Sequence, residues 1–289
     1  MKPAPFEYHR PRSVADAVAL LATLENAKVL AGGQSLMPML NMRFVMPDHV
    51  VDLNSIDGLD FLREDGDTIR IGALTRQRDI ELSPLVRERL PLLAEALTFT
   101  GHTQTRNRGT FAGSLCHLDP AAEQPAVALT CDAVVVVASV RGERTIPMGE
   151  FAVSYMTTQL EPDELVIEVR IPVSPKKHGY AFVEFARRHG DFALASAAVL
   201  MVPAASGEIE RCAITIGGVG SLPVRLTAAE QVLCGKRPEE STFARAAEAC
   251  TSIAVIEDVH ASAAYRRQLA RVLTLRALLS AAQRLSSQG

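Results

Sequence analysis

The sequence has no excess of basic residues. Thirty Lys and Arg stand against 33 Asp and Glu, a formal net charge of −3 over 289 residues. A nucleic-acid binder neutralises phosphates with a cationic surface, so that class is excluded. No uncharged apolar run is long enough to span a bilayer, and the best candidate, residues 126–140, is interrupted by Asp132. The opening Met1-Lys2-Pro3-Ala4-Pro5 carries no apolar signal core, so a cytoplasmic protein is expected. The five cysteines, Cys116, Cys131, Cys212, Cys234 and Cys250, form no Cys-x-x-Cys pair, and the closest two are fifteen positions apart. That spacing fits neither a disulfide framework nor a zinc or iron–sulfur site, and buried free thiols are expected. If the chain handles electrons, the metal clusters belong to another chain.

The motifs of side-chain catalysis are missing too. Gly218-Val219-Gly220 leads into Ser221-Leu222-Pro223, which starts no helix, so a Rossmann nucleotide site is unsupported. Gly235-Lys236 is followed by arginine, which rules out a Walker loop, and neither a Gly-x-Ser-x-Gly elbow nor a His-Glu-x-x-His occurs. The seven histidines are scattered, with only His117 beside a candidate loop, and no paired carboxylates or nucleophile–base set stands out. Any catalysis here would be carried by a cofactor.

What is present is a repeated kind of bend. Lys28-Val29-Leu30-Ala31 ends in Gly32-Gly33, then Gln34-Ser35, and a helical pattern opens at Leu36. A strand that stops in two glycines before a helix is either plain punctuation or an anion site made of unpaired amides. A similar stretch, Arg106 to Ser114, ends in Thr110-Phe111-Ala112-Gly113-Ser114 and reads as a loop running to a helix near Pro120. Two such loops about eighty residues apart point to one ligand with a diphosphate, held between two pieces of chain.

Length predicts two or three modules. Phe6 and Tyr8 alternate as a first strand, Ser13 caps a helix to about Leu24, and residues 49–53 form another strand, so the first fifty residues suggest a small parallel sheet. Strands over 68–73, 133–140, 144–147 and 165–171 and helices over 76–81, 91–97 and 121–129 fill the middle. The linker 172–178 precedes three meander strands, 179–187, 193–202 and 209–217. Helices over 228–233, 242–253 and 261–284 close the chain. The last should bury Leu269, Val272, Leu273 and Leu279, leaving Arg266, Arg267, Arg271 and Arg276 for solvent or a partner subunit.

These residues resemble a known family. Residues 31–38 are similar to the first FAD diphosphate loop of the medium, flavin-binding subunits of molybdenum hydroxylases, the group that includes carbon monoxide dehydrogenase medium subunits and the xanthine dehydrogenase FAD domain. Residues 106–114, continuing into His117-Leu118-Asp119-Pro120-Ala121-Ala122-Glu123, resemble the second loop. Residues 157–172, Arg187 to Ala193 and His260 to Arg267 are also typical, so five blocks occur in the family's order over nearly the whole chain.

The resemblance implies an α+β architecture of the PCMH type. It comprises an N-terminal α/β subdomain (1–55), a middle α+β subdomain (56–174), and a C-terminal antiparallel sheet with helices (175–289). It implies FAD between the first two, gripped by Val29, Leu30, Ala31, Gly32, Gly33, Gln34, Ser35 and Leu36 and by Thr110, Phe111, Ala112, Gly113 and Ser114. Glu123 or Asp119 would meet the adenosine ribose, Val166 would line the pocket, Phe192 would flank the flavin ring, and its neighbour Asp191 would also belong to the cofactor site. It also implies partners: a small subunit with 2Fe-2S clusters and a large molybdopterin subunit, assembled as a dimer of heterotrimers. Two other readings remain open, a flavin-free structural subunit of such a complex and a stand-alone FAD oxidase. One residue departs from the pattern. Ala112 stands where the second loop usually has glycine, a change tolerable only where φ is negative.

Overall fold

A computed structural model describes residues 1–287. Three sheets follow one another along the chain, each built as its local pattern requires. The first is parallel, in the order β1 (Glu7–His9), β3 (His49–Asp52), β2 (Ala27–Leu30). Helix α1 (Val14–Thr23) supplies a crossover; the Ser13 side chain accepts from the Asp16 amide and caps it. Its buried Ala17, Val18 and Leu21 pack with Val51 and Leu53. Helix α2 (Leu36–Asn41) supplies the other crossover, directly after the first glycine bend.

The second sheet is antiparallel, in the order β4 (Leu62–Asp65), β5 (Thr68–Gly72), β10 (Leu165–Pro172), β6 (Val134–Ser139), β7 (Gly142–Pro147). Helices cover it: α3 (Gln77–Leu82), α4 (Pro84–Arg89), α5 (Pro91–Leu97), α6 (Thr103–Arg108), α7 (Phe111–His117), α8 (Glu123–Thr130) and the single turn α9 (Met148–Phe151). A two-stranded ribbon, β8 (Ala152–Ser154) with β9 (Thr157–Thr158), lies beside it. The short elements β4, α4, β8 and β9 have too few periodic apolar residues to be read in the sequence.

The third sheet runs β11 (Gly179–Phe185), β12 (Ala195–Pro203), β13 (Ile209–Gly217), β14 (Val224–Arg225). It is buried on both faces. Phe182, Ala198, Leu200 and Ala213 join the middle core, while Ala181, Ala197, Val199, Ile214 and Ile216 pack under α10 (Thr227–Leu233), α11 (Glu240–Ala247) and α12 (Ala263–Ser286). That explains why β12 reads as a continuous apolar run rather than an alternating one. Among the described residues no helix is long and apolar enough to cross a membrane.

Two expectations for the last helix are corrected. Leu279 is 37% exposed, and Arg266 is buried. The Arg266 guanidinium donates to the carbonyls of Leu194 (2.8 Å) and Gly218 (2.7 Å) and to Asp258 (2.7 Å), so it ties strand ends to the helix start. A charge scan sees a cation; it cannot see three acceptors converging on one.

A cavity between two glycine-bearing stretches as candidate functional site

The first glycine bend folds as an open turn. Gly33 has φ +73°, which L side chains rarely adopt, and α2 begins three residues later. Among the described residues the amides of Gly32, Gly33, Gln34 and Ser35 donate to no group of the chain. Gly32 has a different reason to be glycine. A Cβ there would lie 2.3 Å from the Arg108 carbonyl oxygen and 2.7 Å from the Gly109 Cα. The two stretches found in the sequence therefore touch backbone to backbone.

Polar side chains hold that contact. Asn54, just past β3, donates to the Ala31 carbonyl at 2.8 Å and accepts from Arg76 at 2.7 Å. Arg76 also donates to the Arg108 carbonyl at 3.0 Å. Burial and the nearby Arg108 charge lower the Arg76 pKa. The Gln77 amide donates to the Gly109 carbonyl at 2.8 Å, which anchors the second stretch to α3.

Above this junction opens a cavity of about 400 Å³ lined by Leu30, Ala31, Gly32, Gly33, Gln34, Met37, Pro38, Asn41, Asp52, Asn54 and Arg108. It combines unpaired amides, an arginine and the ends of two parallel strands. Such a place suits an anion flanked by hydroxyl groups. Asp52, Asn54, Arg76 and Arg108 are not among the expected site residues. For Asp52 and Asn54 a signal exists, since ligands sit at the carboxyl ends of parallel strands. For Arg76 there is none.

The second stretch differs from its expected form. It is no loop: α7 spans Phe111 to His117, with Thr110 as its cap. The Thr110 hydroxyl oxygen accepts from the Gly113 amide at 3.1 Å, and the residue is buried. Ala112 lies in the helix, outside the positive-φ residues, and its methyl is buried in the middle core. Phe111 is in the same core, whereas Gly113 and Ser114 keep partial exposure.

The remaining candidates fall in two places. Glu123 opens α8, buried, and accepts from Thr100 at 2.8 Å; burial raises its pKa, while that hydrogen bond works the other way. Asp119 caps a turn by accepting from the Ala121 amide at 2.8 Å. The Asp191–Phe192 hairpin comes from the third sheet, both residues exposed, with Phe192 at 72%. It abuts the 99–102 bend: the His189 and Phe99 rings are 5.9 Å apart, and His102 crowds Gly190. Arg106 braces that bend, donating to the Thr100 (2.9 Å) and Gly101 (3.1 Å) carbonyls and to Glu81 (2.8 Å). Helix α6, six residues or roughly 9 Å long, separates this second place from the cavity. Val166 lies in the core of the middle sheet, and Val29 and Leu36 are partly buried.

The fold and the site together define an anion-binding module built from two glycine-bearing stretches, a class that comparison with known proteins makes specific. Residues 4–174 match the family described as FAD binding domain in molybdopterin dehydrogenase, and residues 180–281 match the CO dehydrogenase flavoprotein C-terminal domain. The chain is 42% identical over 286 residues to the 6-hydroxypseudooxynicotine dehydrogenase complex subunit alpha of Paenarthrobacter nicotinovorans, covering 98% of this chain and 97% of that one. To the carbon monoxide dehydrogenase medium chain of Hydrogenophaga pseudoflava it is 38% identical over 283 residues, covering 97% and 98%. The solved carbon monoxide dehydrogenase from that organism, in a form lacking the Mo-pyranopterin moiety, superposes with a TM-score of 0.95 at 39% identity, covering 98% and 99%. The chain belongs to this family: it is an FAD-binding subunit, of the medium-chain kind, of a molybdenum-dependent oxidoreductase complex.

Proposed function

We propose that the chain is the electron-transfer flavoprotein of a heteromeric molybdenum hydroxylase. Electrons come from 2Fe-2S clusters on a small iron–sulfur subunit, after substrate oxidation on a large molybdopterin subunit, and leave to an external acceptor. The assembly proposed is a dimer of such heterotrimers. FAD, when bound, supplies the chemistry of accepting electrons singly and releasing them in pairs.

This chain's residues bind and orient. The observation that carries the reading is a run of four unpaired amides, Gly32 to Ser35, of which Gly32, Gly33 and Gln34 line one cavity together with Arg108. The amides and Arg108 would hold a diphosphate, with Thr110 and Ser114 donating from the second stretch. Glu123 would accept from sugar hydroxyls, and Phe192 would stand against the ring. The cysteines are free thiols, as clusters on a partner require, but not all are buried as expected: Cys234 is exposed, while burial pushes the Cys116 and Cys131 thiols up to about 12. The flavin-free reading rests on Ala112, and its methyl points into the core rather than at the ligand.

The test is direct. The complex purified with its partners should release one FAD per chain on denaturation and show iron–sulfur absorbance. A colourless chain that takes up no added FAD would overturn the proposal.

A further inference from the structure

A second cluster lies on the first sheet, away from the cavity. Strands β1 and β3 pair in parallel with Glu7 opposite His49, so Glu7, His9 and His49 share one face although forty residues separate the histidines. The His9 Nε2 and His49 Nδ1 atoms are 3.1 Å apart. The Glu7 carboxylate reaches His49 Nδ1 at 3.6 Å and His9 Nε2 at 3.9 Å.

Ligands bound tetrahedrally at 2.0–2.1 Å stand about 3.3 Å from one another. The two ring nitrogens, 3.1 Å apart, nearly match that value, and a single Glu7 oxygen within 4.8 Å of both closes the set by rotation of an exposed side chain. The rings are mostly enclosed, with side chains 15% and 22% exposed, and this fixes their approach. Glu7 is 68% exposed and leaves one side open to water. Among the described residues no lysine or arginine pairs with Glu7, so no fixed cation competes for the position.

We propose that Glu7, His9 and His49 form a binding site for one divalent transition-metal ion of the zinc, cobalt or nickel kind. Two imidazoles and one carboxylate, with a water completing the shell, are a zinc-type ligand set, whereas magnesium and calcium favour all-oxygen shells. In the metal-free chain one ring donates N–H to the other; on binding, the donor ring exchanges that proton through solvent for one on its other nitrogen, so both rings stay neutral imidazoles and the two facing nitrogens turn their lone pairs to the ion. The ion fastens β1, a strand of three residues whose one neighbour in the sheet is β3. Asp52, which lines the cavity, is three residues further along β3, roughly 10 Å away at about 3.3 Å per residue. The metal site is thus structural and separate from the cofactor.

The experiment is zinc calorimetry on the full-length chain after chelator treatment, with melting temperature and flavin content measured on the same samples. One zinc per chain is expected, at micromolar dissociation constant or tighter, with a higher melting temperature and unchanged flavin content. Glu7→Gln, at an exposed position that leaves the fold alone, should weaken zinc about tenfold, and His49→Gln about a hundredfold. Magnesium should reproduce neither effect. Absence of saturable one-to-one binding, or equal binding by the wild type, Glu7→Gln and His49→Gln, overturns the proposal. Zinc binding is read without reference to flavin uptake, so the metal site and the function proposed above stand or fall separately.

Discussion

The two glycine-bearing stretches look alike in the sequence and are unlike in the structure. Residues 32–35 form an open bend whose amides have no partner in the chain, and Gly32, Gly33 and Gln34 line a cavity. Residues 110–117 form a helix capped by the Thr110 hydroxyl oxygen, with Phe111, Ala112 and Leu115 in the core. Small residues occupy both for different reasons. Gly32 is small because another backbone lies against it, Gly33 because φ is positive, and Gly113 because a Cβ would sit 2.7 Å from the capping Thr110 oxygen. Ala112 is small because a helix packs there. A shared motif can thus hide a ligand surface and its supporting scaffold.

The sharpest way to break that contrast is Gly32→Ala. The added methyl meets the Arg108 carbonyl oxygen at 2.3 Å, and a carbonyl braced by Arg76 cannot give way cheaply. A cost of about 3 kcal/mol, the upper end of overpacking, is expected. Fluorescence titration should show FAD affinity lower by about a hundredfold. Unchanged affinity would mean that the junction of the two stretches does not shape the site.

Much of the molecule is legible in the amino-acid order alone. The strand-to-glycine handover, the meander and the long closing helix follow from local periodicity and turn chemistry. What stays hidden depends on tertiary placement. Arg76 sits in an ordinary helical start and acquires its role only because Asn54 and the Arg108 carbonyl converge on it. Helix α7 reads as a loop because Gly113 weakens its helical signal, while Thr110 as a cap is visible only with the Gly113 amide in place. Glu184 gives no sequence signal, being one acidic residue in an alternating strand.

Glu184 marks the region where the third sheet meets the middle unit, and it sharpens the comparison between scaffold and site. Its Oε2 is buried without a partner, and burial together with the Glu123 charge pushes its pKa up to about 8. In acid both folded and unfolded chains hold the proton, and no penalty arises. As pH rises past the ordinary glutamate range the unfolded chain ionises first, so stability falls until about pH 8 and then levels off. Glu184→Gln removes that penalty. Melting measured against pH should show the variant more stable by about 2 kcal/mol above pH 8 and equal to wild type near pH 4, with partial exposure of the residue already discounted. A constant difference across the range would assign the effect to packing instead.

The smallest effect on binding belongs to Ala112→Gly, and it separates the two stretches most cleanly. If residues 110–114 grip the ligand as an open loop, removing the methyl frees backbone, and affinity should rise. In the capped helix that methyl fills core and touches no ligand, so FAD affinity should stay within about twofold of wild type. Stability should still fall. Glycine in a helix costs about 1 kcal/mol relative to alanine, and the lost buried methyl adds roughly as much again. For a unit of this size that is a melting temperature lower by several degrees, about 2–4 °C per kcal/mol. Weaker binding at unchanged melting temperature would put the methyl against the ligand. Tighter binding would restore the loop. A colder melt with flavin uptake intact is what a scaffold residue produces, because its free energy is spent on the wall of the site and not on its occupant.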